Sequence, residues 1–364
     1  MIKRNSFKHL GLGACSLLAV SAVACSSSEP VAGGKIKVTA SGEGLGAEGF
    51  SFPPTPTQEA YFIDGWEVRF EHFYVSLSDI TISADPDRDP NDRSVTGEVV
   101  AEAKGPFLVD LHQTGPLPGK GEDDTSFLLT TLENQNKKGL PFDSAAKYAF
   151  GYSSTPARAS ATRVGLAGGD EPNVLEMESK GYNVLYVGKA TYRGTTCSPT
   201  DRDLPTEVSF RFGFKTPARY INCLNPDLGQ SGGEPPPGLA LKGNEETIAQ
   251  ITFHADHPFW NALEEDAPLR FDQLAFVAKM KNKGTANAPL TLEDLEGVAF
   301  APLKVGTTTL PARTCTPAEA PPAGTTLSLD PNGESVTDLA DFVRKLQVTQ
   351  GHLNADGLCI ARPL

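Results

Sequence analysis

Residues 66–83 read WEVRFEHFYVSLSDITIS, and this stretch decides the fold. Its apolar and polar side chains alternate, but the parity of the apolar ones switches twice, between the groups Trp66/Val68/Phe70, Phe73/Val75/Leu77 and Ile80/Ile82. A straight strand points successive side chains to opposite faces, so it cannot exchange its buried face partway along. The pattern therefore predicts one long strand that is bent by bulges, the first near Glu71 and His72 and the second near Ser78 and Asp79.

Shorter alternating segments lie on both sides of this strand. The clearest is EVSFRFGFK at 207–215, where one valine and three phenylalanines share a face. Similar patterns predict strands at 35–41, 107–111, 147–153, 182–192, 247–254 and 297–305. The 35 glycines and 29 prolines indicate many turns between them. We expect a mainly β protein, an antiparallel β-sandwich with a short helical insertion and a C-terminal helix.

Helical patterns are few. PLRFDQLAFVAKM at 268–280 predicts one helix with Pro268 in its first turn, and 337–346 predicts another with Thr337 as its N-cap. The expected organisation is a β-sandwich over 35–312, with the helical insertion near 257–280. Residues 313–364 are expected to form a linker and the C-terminal helix, packed on the sandwich and tethered by a disulfide.

The N-terminus has the composition of a secretory signal. Lys3, Arg4 and Lys8 precede an apolar run that closes in Ala22-Val23-Ala24-Cys25. This ending resembles a bacterial lipobox, which implies a signal peptide over 1–24, a lipidated Cys25 and a flexible tether over 25–34. The alternative is an ordinary secretory signal. The lipid would anchor the protein at the outer membrane or the cell surface, with the periplasmic face as the alternative location.

The chain is acidic. Loss of the signal lowers the basic count from 32 to 29 against 45 acidic residues, so the mature net charge is −16. An acidic surface repels nucleic acid, so we exclude nucleic-acid partners. The expected partners are the membrane, through the lipid, and an envelope protein or small ligand of unknown identity.

Four cysteines remain in the mature chain: Cys197, Cys223, Cys315 and Cys359. An even number of cysteines in an exported protein indicates disulfides, and we favour the sequential pairing of Cys197 with Cys223 and of Cys315 with Cys359. A four-cysteine zinc site is the weaker alternative, because closely spaced cysteine pairs are absent.

The candidate site residues are histidines. His254 and His257 stand in FHADHPFW at the end of a predicted strand, where Asp256 could orient one imidazole. His352 stands in GHLNADGLC, and His72 lies at the first predicted bulge. Imidazoles from separate segments would suit copper or zinc, and we treat these four histidines as candidate ligands. The alternative is that each histidine packs independently at a strand end or bonds a backbone carbonyl.

Several blocks carry a resemblance: DGW at 64–66, FHADHPFW, APLRFDQLA, TLEDL and GHLNADGLC. Together they resemble an uncharacterised lipoprotein family of myxobacteria and their relatives. They are more distantly similar to periplasmic copper-binding proteins associated with methanobactin genes. The second resemblance implies copper held by histidines with a tryptophan nearby, here Trp66 or Trp260.

No nucleophile elbow or other catalytic motif emerges from the sequence. We therefore expect a lipid-anchored, non-enzymatic envelope lipoprotein with a binding or structural role and no certain cofactor. The alternative function is that of a copper- or zinc-binding protein.

Overall fold

The computed structural model of this 364-residue chain describes residues 33–58, 60–121, 124–198, 203–230, 233–243, 245–299, 304–305, 308–309, 312–315, 329–331 and 333–364. The predicted signal peptide, the predicted lipidation site Cys25 and most of the predicted tether lie outside these ranges, as does most of the predicted linker after Cys315.

The described chain is built mainly of strands, joined by four helices and three single 3₁₀ turns. The strands are β1 Lys35–Ser41, β2 Trp66–Ser83, β3 Val99–Ala103, β4 Phe107–Asp110, β5 Leu117–Pro118, β6 Thr125–Leu132, β7 Lys147–Ser154, β8 Thr162–Val164, β9 Val184–Tyr192, β10 Cys197–Ser198, β11 Glu207–Phe214, β12 Ala218–Ile221, β13 Leu239–Ala240, β14 Glu246–Phe253, β15 Leu290–Thr291, β16 Lys304–Val305, β17 Thr308–Thr309, β18 Thr314–Cys315, β19 Gly351–Leu353, β20 Gly357–Leu358 and β21 Ile360–Pro363. The helices are α1 Glu43–Glu48, α2 Glu171–Lys180, α3 Asp272–Lys281 and α4 Leu339–Val348, and the 3₁₀ turns are Pro226–Leu228, His257–Phe259 and Glu293–Leu295.

The long strand β2 has both predicted bulges. Its register against β9 shifts between Phe70 and His72, and its register against β7 shifts between Ser78 and Thr81. Asp79 sits in the second irregularity with a φ of +46°, a left-handed conformation that ordinary strand residues avoid. These bends let one strand pair with β3, β4, β7 and β9.

Two large sheets form the body of the protein. One has six strands in the order β20-β19-β14-β1-β6-β5, and the other has eleven strands, with the main order β15-β11-β9-β2-β7-β12-β21. Most pairs are antiparallel, as predicted, but β1–β14, β4–β8 and β11–β15 are parallel. Because β14 lies between β1 and β19, it joins a strand from the start of the described chain to one near its end.

Both sheets contribute to one hydrophobic core. Val38 and Ile251 of the six-stranded sheet belong to the same buried cluster as Phe73 and Phe210 of the eleven-stranded sheet. Phe73 stacks on Tyr186 with ring centroids 4.4 Å apart, and such pairs add to area burial. This shared core confirms the mainly β, sandwich-like fold. The predicted strand 297–305 is wrong over residues 297–299; among its described residues only Lys304–Val305 form a strand.

The helices begin later than predicted. Helix α3 starts at Asp272 rather than Pro268, because the Asp64 carboxylate accepts the backbone N–H groups of Phe271 and Asp272 at 2.8 and 2.9 Å. The cap of α4 is Asp338, not Thr337, since its carboxylate accepts the N–H of Asp341 at 2.9 Å. Within the described ranges, none of the helices has the length and apolar character needed to span a bilayer.

The disulfides correct the sequential pairing. Cys197 is bonded to Cys315 and Cys223 to Cys359, over separations of 118 and 136 residues. Strand pairing explains both bonds: Cys197 lies directly opposite Cys315 in the β10–β18 ladder. The backbone N–H of Leu224, next to Cys223, donates to the carbonyl of Leu358 at 3.0 Å.

Candidate metal centre

Three predicted ligands, His254, His257 and His352, converge in the structure. One ring nitrogen from each lies within 4.8 Å of the others. The rings of His254 and His352 are stacked with centroids 4.0 Å apart, and the ring of His257 stands edge-on to both at 5.5 and 5.4 Å. The three imidazoles therefore form a compact group rather than packing independently.

Local structure explains this convergence. His254 directly follows β14, and the 3₁₀ turn His257–Phe259 folds the chain back so that His257 faces it. His352 lies on the neighbouring strand β19, in register with Thr252 of β14. The backbone N–H of His254 also donates to the carbonyl of Gln350, at 3.1 Å, which fixes the two segments to each other.

Burial keeps two of the imidazoles neutral. His257 and His352 are 2% and 3% exposed, and burial followed by the charge of His254 lowers the pKa of both well below 6.5. For His352 the charge of His257 acts in the same direction, and only the Thr349 backbone opposes it. A neutral imidazole is the form that binds a metal.

The hydrogen bonds leave nitrogen lone pairs free. Among the described residues, three ring nitrogens form no hydrogen bond of normal geometry. They are Nδ1 and Nε2 of His352 and Nε2 of His254. Nδ1 of His257 lies 2.7 Å from the hydroxyl of Thr349, which itself donates to the carbonyl of Leu346 at 2.8 Å. The hydroxyl oxygen must therefore accept a hydrogen bond from the Nδ1–H group, so Nε2 of His257 carries the free lone pair.

Trp260 lies beside the centre, and Trp66 does not. The indole of Trp260 stacks on His257 with centroids 3.8 Å apart. Its Nε1 donates to Asp256 at 2.9 Å, so the predicted role of Asp256 is corrected: it orients this indole rather than an imidazole. Trp66 is buried in the core, where its Nε1 donates to Asp272.

His72 is not part of this group. The bulge in β2 turns it toward Asp110 and Asp170, with Nδ1 2.8 Å from Asp110 Oδ2 and 3.7 Å from Asp170 Oδ1. The hydrogen bond to Asp110 is the main reason that the pKa of His72 is raised. The prediction that His72 is a ligand of the three-histidine centre is therefore wrong, because the bulge directs it to another cluster.

Glu43 is a neighbour of the centre that the sequence did not reveal. Its Oε2 lies 3.6 Å from Nε2 of His254, and its backbone has a φ of +57° at the start of α1. Burial raises the pKa of Glu43 to about 7, although the nearby His254 opposes that rise. No sequence motif marks this residue, since it approaches His254 only through the β1–β14 pairing.

Comparisons of the chain with protein-family models, with curated proteins and with solved structures give no match. The resemblance to myxobacterial lipoproteins and to methanobactin-associated copper-binding proteins therefore stays a prediction.

Proposed function

We propose that this protein is a lipid-anchored metal-binding protein of the cell envelope, which holds one copper or zinc ion with His254, His257 and His352. The observation that carries the proposal is the convergence of three imidazoles, of which two are buried and neutral, with ligand atoms within 4.8 Å of one another. This arrangement favours the metal-binding alternative over a purely structural role.

The donor set fits these metals. Imidazole nitrogen suits both copper and zinc, and copper binds more tightly than zinc to a given set of such ligands. Nitrogens bound at ~2.0 Å to one tetrahedral ion lie ~3.3 Å apart, so the three rings need to shift by at most about an ångström. His254 can make most of that shift, because its side chain is 17% exposed whereas its two partners are almost fully buried.

Glu43 could complete the site. Its Oε2 lies 3.6 Å from Nε2 of His254, so it could occupy the fourth coordination position or balance the charge of the ion. The role that we propose for this centre is the non-enzymatic holding or delivery of the metal.

Elemental analysis tests this proposal. A chain that begins at Ser26 keeps every described residue, and it would be purified, loaded with copper and dialysed. We expect about one copper ion per chain, with nitrogen hyperfine structure in the electron paramagnetic resonance spectrum of the Cu(II) form. The variant His254→Ala, His257→Ala, His352→Ala should retain no copper, while His112→Ala should behave as the wild type.

Circular dichroism separates loss of ligands from loss of fold. If the triple variant does not fold, the single variant His254→Ala provides the test, because this half-buried side chain contributes least to the core. Equal copper retention in His254→Ala and the wild type, or a Cu(II) spectrum of the wild type without nitrogen hyperfine structure, would reject the proposal.

A further inference from the structure

The cluster around His72 is a second group of metal-ligand side chains. His72 Nδ1, an oxygen of Asp110 and an oxygen of Asp170 lie within 4.8 Å of one another. His72 comes from the bulge of β2, Asp110 from the end of β4, and Asp170 from the residue before α2. The cluster shares no residue with the three-histidine centre.

Both carboxylates are fixed by the backbone. Oδ1 of Asp110 accepts the N–H groups of Phe73 and His112 at 2.9 and 3.1 Å, which leaves Oδ2 directed at His72. Oδ2 of Asp170 accepts the N–H of Ala167 at 2.5 Å, which leaves Oδ1 facing His72 at 3.7 Å. Each aspartate thus presents one pre-oriented oxygen, as supporting hydrogen bonds do for ligands in metal sites.

The charges of the cluster are incompletely matched. The side chains of Asp110 and Asp170 are 0% and 4% exposed, and among the described residues neither forms an ion pair with a lysine or an arginine. Two buried carboxylates face a single imidazole, and burying charge without a partner is costly. A bound divalent cation would balance the two negative charges of the carboxylates, with the imidazole of His72 neutral.

The cluster is accessible to solvent, and the phenol oxygen of Tyr74 lies next to it. The side chain of His72 is 26% exposed, so the cluster is open to solvent on that side. The phenol oxygen of Tyr74 lies 2.8 Å from Nδ1 of His72 and receives a hydrogen bond from Asn173 at 3.1 Å. The candidate ligand atoms of this cluster are one nitrogen and several oxygens, whereas those of the three-histidine centre are all nitrogens.

We propose that His72, Asp110 and Asp170 form a second, independent metal site, which takes a divalent cation that accepts mixed nitrogen and oxygen ligands, Zn²⁺ or Mn²⁺. On binding, the ion replaces the Nδ1 proton of the doubly protonated His72 ring; that proton is released to solvent, and the ring stays neutral with its remaining proton on Nε2. The oxygen-rich ligands favour Mn²⁺ here, whereas the three histidines favour copper.

Equilibrium dialysis against Zn²⁺, followed by elemental analysis, tests this site in four chains that begin at Ser26. Asp170→Asn removes a charged ligand but keeps the acceptor for Ala167, and His254→Ala/His352→Ala removes the first centre. Glu71→Gln is the matched control, since it neutralises an exposed carboxylate of the same strand. We expect two zinc ions in the wild type and in Glu71→Gln, and one in each of the other two variants.

Mn²⁺ gives a second measurement. The resonance signal of free Mn²⁺ should fall when wild-type protein is added, and Asp170→Asn should bind Mn²⁺ at least tenfold more weakly. Equal zinc and manganese binding by Asp170→Asn and the wild type would overturn the second site, even if the double histidine variant fails to fold. If only the double histidine variant lost metal, the proposal of the second site would likewise be overturned, and the proposal of the first centre would stand.

Discussion

The hydroxyl oxygen of Thr349 lies 2.7 Å from Nδ1 of His257, and the hydroxyl donates a hydrogen bond to the carbonyl of Leu346. This contact ties the last turn of α4 to the candidate metal centre and fixes which nitrogen of His257 carries the proton. A residue outside the candidate ligand set thereby determines the orientation of a candidate ligand.

Removing this hydroxyl should weaken metal binding. We expect Thr349→Val to lower copper affinity by about 10- to 100-fold, the range found when a partner of a metal-bound histidine is lost. Thr349→Ser keeps the acceptor and should restore affinity. Competition titration with a chelator measures the change, and an unchanged affinity in Thr349→Val would show that the contact does not orient the ligand.

Metal should stabilise the fold. An ion that binds only the folded chain, at a free concentration of about 100 times its dissociation constant, raises the free energy of unfolding by about 2.7 kcal/mol. Urea unfolding with and without copper measures this difference. His254→Ala should unfold at the same urea concentration in both conditions, whereas His112→Ala should keep the shift. A shift that persists in His254→Ala would mean that copper stabilises the protein through other ligands.

The disulfide Cys223–Cys359 should affect both stability and metal affinity. It fastens the chain seven residues beyond His352, through strands β19 and β20. We expect Cys223→Ser/Cys359→Ser to lower the free energy of unfolding by about 2–5 kcal/mol and to weaken metal binding. The matched control is Cys197→Ser/Cys315→Ser, which should cost stability but leave metal affinity unchanged. Equal effects of the two pairs on affinity would contradict this.

Asp64 should make stability depend on pH. Burial, followed by the charge of Asp272, raises the pKa of Asp64 from 3.8 to about 7. The folded chain therefore binds this proton more tightly than the unfolded chain does. Its stabilising contribution is complete below the unfolded pKa and is lost as the pH rises through the folded pKa.

The variant Asp64→Asn isolates this contribution. Its side chain cannot ionise but keeps an oxygen for the N–H groups of Phe271 and Asp272. We expect it to lose less stability than the wild type between about pH 4 and about pH 7, measured by urea unfolding. Asp64→Ala removes the cap as well and should cost about 0.5–2 kcal/mol at either pH. Parallel pH profiles for the wild type and Asp64→Asn would refute the assignment.

Local patterns made much of the fold predictable. The alternation in 66–83 identified β2 and both bulges, because the direction of each side chain depends only on its place in the strand. Helix α2 was missed although Pro172 and Gly181 stand where start and end signals are expected. Its apolar side is small, since Val174 and Met177 are buried but Leu175 is 52% exposed.

The candidate site was predictable only in part. FHADHPFW and GHLNADGLC singled out the three converging histidines, because histidines beside turns stand out in a chain with so few of them. Their partners depend on strand order and register, which no local pattern encodes. Glu43, Thr349 and the disulfide pairing therefore emerged only from the tertiary structure, and His72 was assigned to the wrong cluster.

The place of β19 beside β14 has a consequence for biosynthesis. His254 and His257 leave the ribosome about a hundred residues before His352. A nascent chain, or one cut before β19, therefore carries an incomplete ligand set however well its earlier strands have folded. Metal capture at full affinity would thus be restricted to finished molecules, and a bound ion would mark a chain whose synthesis and folding are both complete.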